Sequence, residues 1–171
     1  MIDRDERGLP RVVLKPVTGV TLAEVMRFRP DFTRAHGLRA FIEICSIVDY
    51  AHAHGVLHRD LKPTNILIGE TGEIYVRGWS GIGTPGYVAP EPVLDQRSDV
   101  YALGCILFEI LTHKRLHAVV GERRPSAHAP NVPVMLDVLC LRAIRASADH
   151  RIGSARELAD TVWRYLSTAP T

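Results

Sequence analysis

The chain has 171 residues, with 21 lysines and arginines against 19 aspartates and glutamates, for a formal charge of +2. That length suits one domain with a single core burying roughly 70% of the surface its unfolded chain would expose, and a charge this balanced, with its arginines scattered, excludes the basic footprint of a nucleic-acid binder. Cys45, Cys105 and Cys140 give neither a disulfide frame nor a metal-ligand spacing and are read as reduced packing residues; no apolar run is long enough to span a bilayer, so a cytoplasmic chain with no membrane partner is expected.

In chain order, Asp3 to Gly8 is read as a polar turn and Arg11-Val12-Val13-Leu14-Lys15 as a strand, which Pro16 and Gly19 end. Thr21 with Glu24 three residues on makes a capping box, so a short helix should run through Met26. From Thr33 to His54 the positions Leu38, Phe41, Ile42, Cys45, Val48 and Ala51 repeat at helical spacing, and Gly55 supplies the stop. His52 and His54, near that end, are read as residues favoured by the helix dipole.

The next stretch, His58-Arg59-Asp60-Leu61-Lys62-Pro63-Thr64-Asn65, packs a carboxylate, an ammonium and a carboxamide into a short loop containing a proline. Such a loop holds polar groups still. Asp60 is able to take or orient a hydroxyl proton, Lys62 to neutralise charge on a transferring phosphoryl group, and Asn65 to offer an amide oxygen to magnesium. Ile66-Leu67-Ile68 and Ile74-Tyr75-Val76 then flank Glu70-Thr71-Gly72, a strand, turn, strand pattern. Ser98 to Thr112 is apolar on every side, as a central buried helix is. His113 to Pro133 is rich in Pro, Arg and His without period, and its Arg115, Arg123 and Arg124 read as a solvated loop. Val134 to Arg145 returns to helical spacing, and Ser154 with Glu157 forms a second capping box that opens a final helix burying Leu158, Val162 and Leu166.

The loop from His58 to Asn65 resembles the H-R-D-L-K-P-x-N catalytic loop of protein kinases, in its serine/threonine-type variant. Gly83-Thr84-Pro85-Gly86-Tyr87-Val88-Ala89-Pro90-Glu91 resembles the G-T-x-x-Y-x-A-P-E end of the kinase activation segment. Ser98-Asp99-Val100-Tyr101-Ala102-Leu103-Gly104 resembles the start of the kinase helix whose aspartate holds the catalytic loop, although Asp99 makes equal sense as a helix cap. Leu136-Asp137, Cys140-Leu141, Arg151 and Ser154 to Leu158 resemble the closing helices of bacterial serine/threonine kinases.

The resemblance implies an α+β, mostly helical fold: a kinase C-terminal lobe over residues 21–168, with a short two-strand N-lobe remnant and hinge over 1–20 and a small hairpin after the catalytic loop, all one truncated domain. It implies phosphoryl transfer from ATP with magnesium to a protein serine or threonine. Asp60 would be the base, Lys62 its electrostatic support, Asn65 a metal ligand and Thr84 a neighbour of Asp60 and Lys62; Glu91 would pair with Arg151. His113 to Pro133 would replace or shorten the substrate-docking helix. The departures matter as much. Where the family has its metal-binding D-F-G, the register gives Gly78-Trp79-Ser80; glycine offers no oxygen to magnesium, while Trp79 still fills the aromatic place. The segment from Gly78 to Gly83 is too short for a regulatory phosphorylation switch. The glycine-rich loop, third-strand lysine and following-helix glutamate that the family carries upstream of this opening are not expected here, and Lys15 is read as a solvated strand-end residue. The isolated chain is therefore expected to be a kinase-like domain without useful turnover, or a pseudokinase that serves as a protein-binding module.

Overall fold

The computed structural model describes residues 2–4, 10–12, 18–79 and 81–168. Val13, Leu14 and Lys15 of the expected first strand, Pro16 that ends it, and Ser80 lie outside them. The chain opens on an antiparallel pair, β1 (Ile2–Arg4) and β2 (Pro10–Val12), with Ile2 opposite Val12. Asp3, expected in a turn, lies instead in β1 opposite Arg11, because strand pairing overrides the weak local preference of a polar residue.

β3 (Val20–Thr21) pairs antiparallel with β4 (Ile66–Ile68), which pairs antiparallel with β5 (Ile74–Val76). The β4–β5 hairpin is the one its sequence announces, closed by Gly69 N donating to Glu73 O at 2.9 Å. β3 is two residues long and exists only because β4 offers it an edge. It is a strand that no local pattern could reveal.

Thr21 then caps α1 (Leu22–Phe28) with a full capping box: its hydroxyl accepts from Glu24 N at 3.2 Å, and Glu24 Oε2 accepts from Thr21 N at 2.8 Å. Thr33 caps α2 (Arg34–Ala53), which turns Leu38, Phe41, Ile44, Cys45 and Val48 into the core. α3 (Gln96–Thr112) is buried almost all round, as its sequence predicts, and is wrapped by α2, α4 (Val134–Ala143) and α5 (Ala155–Thr168). Its cap is Asp95, whose Oδ1 accepts from Arg97 N at 2.7 Å, so Asp99 lies inside the helix and is free for another task. At α5, Ser154 accepts from Glu157 N at 3.2 Å, while the Glu157 carboxylate reaches Arg142 at 3.2 Å. Residues 113–133 carry only two short 3-10 turns, Leu116–Ala118 and Pro125–Ala127.

Cys45, Cys105 and Cys140 are buried and form no disulfide; burial pushes their thiols up, Cys105 to about 12, so they pack as small apolar groups. No helix among the described residues is long and apolar enough to cross a membrane.

Candidate active site

Gly55 at φ +74° ends α2, and the chain turns back past the N-terminal half of α3. There Asp99, 2% exposed, grips the loop by its backbone: Oδ2 accepts from His58 N at 2.8 Å and Oδ1 from Arg59 N at 2.9 Å. Arg59 is held at φ +70°, a left-handed conformation that costs a non-glycine residue of order 1 kcal/mol and persists only where surrounding bonds impose it. The same Asp99 oxygen bonds His52 Nε2 at 2.8 Å. His52 is thus a buried part of the loop's support, not the dipole-favoured helix-end residue its position suggests. Its partner lies 47 residues away, and no local pattern announces such a contact.

His58 is fully buried, and burial holds its imidazole below the ordinary value, so it is neutral at pH 7. Its Nδ1 accepts from Asp60 N at 3.2 Å, which leaves Nε2 to donate to Arg77 O at 3.0 Å. This neutral ring fixes the backbone of Asp60 and ties the catalytic loop to the strand that ends in Val76.

The structure brings Asp60, Lys62, Asn65 and Thr84 into one network. Thr84 Oγ1 donates to Asp60 Oδ1 at 2.6 Å, Lys62 Nζ donates to Thr84 Oγ1 at 2.5 Å, and Lys62 lies 3.0 Å from Asp60 Oδ2. Asn65 Nδ2 donates to Asp60 O at 2.8 Å and to Asp60 Oδ2 at 3.0 Å. Burial alone would raise the Asp60 carboxyl, but the hydrogen bonds from Thr84, Lys62 and Asn65 together hold it below the ordinary aspartate value. It is an anion at neutral pH, with both oxygens engaged.

Gly78 sits beside Asn65, at φ +81°, and a Cβ added there would come within 2.8 Å of Asn65 Nδ2 and 3.3 Å of its Oδ1. This is the place where a magnesium nucleotide would need a second oxygen ligand. The residues present supply one carboxamide oxygen, a glycine, and an aspartate whose oxygens already serve three donors. They do not fit the ion, which needs near-octahedral oxygen ligation and usually one or two carboxylates. Trp79 keeps the packing that Gly78 gives up: its ring lies 4.5 Å from that of His58, and its Nε1 donates to Val76 O at 2.8 Å.

Glu91 and Arg151 close the far side. Arg151 Nη1 and Nη2 donate to the two Glu91 oxygens at 2.6 and 2.9 Å, and the same guanidinium reaches the carbonyls of Arg97, Arg145 and Ala146. The Arg151 bonds, above all, hold the Glu91 carboxyl below its usual range.

A helical lobe with a small sheet at its edge, a backbone-gripped loop presenting Asp, Lys and Asn, and a Glu–Arg anchor define a C-terminal lobe of protein-kinase type. The model of the protein kinase domain matches residues 7–131, and the chain belongs to that family. Its sequence is 31% identical over 200 residues to the serine/threonine-protein kinase PknB of Mycolicibacterium smegmatis, covering 95% of this chain and 31% of that protein. It is 27% identical over 196 residues to the probable serine/threonine-protein kinase PknB of Bifidobacterium longum, covering 95% of this chain and 28% of the relative. The crystal structure of the Mycobacterium tuberculosis PknI kinase domain superposes with a TM-score of 0.77 at 27% identity, over 87% of this chain and 63% of that one. The chain spans under a third of the curated relatives it matches. Both matched spans, 200 and 196 residues, exceed the 171 of the chain, so these relatives carry residues inside the shared region that this chain lacks. Family membership carries serine/threonine-kinase-like character and implies ATP, magnesium and protein substrates for the family at large.

Proposed function

We propose that this chain is a serine/threonine-kinase-like domain that does not carry out useful phosphoryl transfer on its own. The observation that carries this reading is Gly78, which faces Asn65 where transfer needs a metal-holding carboxylate. Phosphoryl transfer is catalysed by positioning and charge stabilisation, so a missing charge is missing catalysis. Removing one preorganised stabilising group costs about 3 kcal/mol, on the order of a hundredfold or more in rate. The test is transfer of labelled phosphate from magnesium ATP to a generic basic protein. The expected result is incorporation no higher than that of Asp60→Ala; transfer that disappears in Asp60→Ala would contradict the reading.

A second reading, a protein-binding module, has its own support. Ile82 is fully exposed, and with Val88 and Leu94 it rims a cavity of about 320 Å³ that reaches down to Asp99 and Ala102. Apolar side chains gathered at the mouth of one cavity mark protein-interaction sites more often than isolated exposed ones do. A photocrosslinker at Val88 should then label a protein partner in cells, while one at the exposed Trp163 of α5 should not; equal labelling from both positions would remove the support.

A further inference from the structure

We infer that the outward face of α4 is a docking surface for another protein, whose matching element is an amphipathic helix with apolar residues at helical spacing and aspartate or glutamate along both of its flanks. The inference stands whether or not any phosphate is transferred.

Asp137 and Arg142 are the only polar residues of α4, and Leu136, Leu139, Cys140 and Ala143 fill its core side. A helix that is apolar all round is normally covered all round. Yet Val134 is 75% exposed, Met135 47% and Val138 46%. At 3.6 residues per turn, Val134, Val138 and the half-buried Leu141 follow one another at i, i+4 and i+7 as a single ridge, with Met135 beside it. The stretch before the helix, residues 113–133, forms only two short 3-10 turns and leaves that ridge open. A ridge of this spacing is what the groove of a second helix packs against.

Charge decides the occupant. Arg142 follows Met135 by seven residues and so lies along one flank of the ridge, half-exposed. Asp137 lies on the other flank; it is buried, its Oδ1 accepts from Ser126 N at 2.9 Å, and the half-exposed Arg124 Nη1 stands 3.8 Å from its Oδ2. Arg142 pairs with a similarly exposed Glu157 at 3.2 Å, and surface pairs of that kind hold weakly. An apolar ridge between two guanidiniums therefore fits a helix whose own apolar ridge runs between carboxylates. A second copy of this chain does not fit, because with arginine on both flanks any face-to-face pairing of two such ridges sets arginine against arginine. A lipid surface fits less well, since the ridge has none of the aromatic residues or lysines that seat a helix among headgroups.

The test uses the full 171-residue chain and a labelled helical peptide of about 18 residues, with leucines at i, i+4 and i+7 and glutamates on both flanks, read by fluorescence anisotropy. Beside it are run the same peptide with lysines for glutamates, vesicles of phosphatidylglycerol and phosphatidylcholine, and sedimentation of the chain alone. The glutamate peptide should bind saturably and roughly tenfold or more tighter than the lysine peptide. Val138→Glu should weaken it by roughly tenfold or more, and Arg124→Gln with Arg142→Gln should erase the preference between the two peptides. Val134→Glu, at the most exposed position of the ridge, serves if Val138→Glu fails to fold. Equal binding of both peptides to the parent chain would overturn the proposal, as would glutamate-peptide binding unaltered by the ridge variants, or no peptide binding at all. Vesicle binding without peptide binding would assign the face to a membrane instead, and self-association lost in Val138→Glu would assign it to a second copy; either would overturn the proposal. No readout depends on phosphate transfer or on the cavity beside Val88, so failure here is distinct from failure of either functional reading.

Discussion

At the scale of one residue, Arg151 ties together segments far apart in the chain. Its side chain is fully buried, its guanidinium is forked onto Glu91, and it satisfies three backbone carbonyls besides. Arg151→Ala would leave a carboxylate and those carbonyls without a donor, and should lower stability by about 3–5 kcal/mol in urea denaturation. The same pair sets an acid limit. Glu91 and Asp60 are both held below their ordinary values in the folded state, Glu91 by Arg151 and Asp60 by its three donors against its own burial. Depressed native carboxyls contribute stability that is present above the unfolded value, about 4, and is lost as pH falls through the native one. Urea midpoints should therefore begin to fall below about pH 6.5, where His58 takes up a proton in the unfolded chain but is held neutral in the folded one, and fall further below about 4; Glu91→Gln should weaken that second, acid-side fall, and an unaltered slope there would contradict the assignment. Gly78 gives the third expectation. Its φ of +81° and the crowding by Asn65 should make Gly78→Asp less stable by about 1–2 kcal/mol without restoring phosphate transfer. Aspartate tolerates the left-handed region better than most residues, which keeps that figure small.

Among elements, α3 packs closely against the end of α4 at Gly104. A Cβ there would come within 2.7 Å of Ala143 Cβ and 2.8 Å of Ile144 Cγ2, so Gly104→Ala should cost about 1–3 kcal/mol by overpacking, measured as a lowered urea midpoint with an unchanged slope. Elements whose signals are local were legible in the sequence. Thr21 and Glu24, three residues apart, gave the start of α1, and the apolar spacing from Leu38 to Ala51 gave α2 to within a residue. The start of α3 was less legible because Gln96 and Arg97 open it with polar residues, which hid the cap at Asp95 behind a better-looking one at Asp99. β3 and the His52–Asp99 contact depend on partners 47 residues or so away in sequence, and composition does not encode such distances. At the site, the motif letters located Asp60, Lys62, Asn65 and Thr84, whereas the seating of Gly81 on Asp60 appears only in three dimensions.

As a whole molecule, the chain keeps the lobe on which acceptor hydroxyls are handled in its family and departs from the family pattern at Gly78, beside Asn65. Asp99, His58 and Arg151 still fix the loop and its surroundings, while Gly78 withdraws the oxygen that magnesium would need. The direct measurement is a thermal-unfolding titration of the 171-residue chain with magnesium ATP up to millimolar concentration. A ligand at 100 times its dissociation constant stabilises by about 2.7 kcal/mol, a rise in Tm of roughly 5–10 °C for a chain of this size. The expected result is no saturable rise and no difference between the parent and Asn65→Ala. A saturable rise of several degrees that requires magnesium and is lost in Asn65→Ala would contradict it.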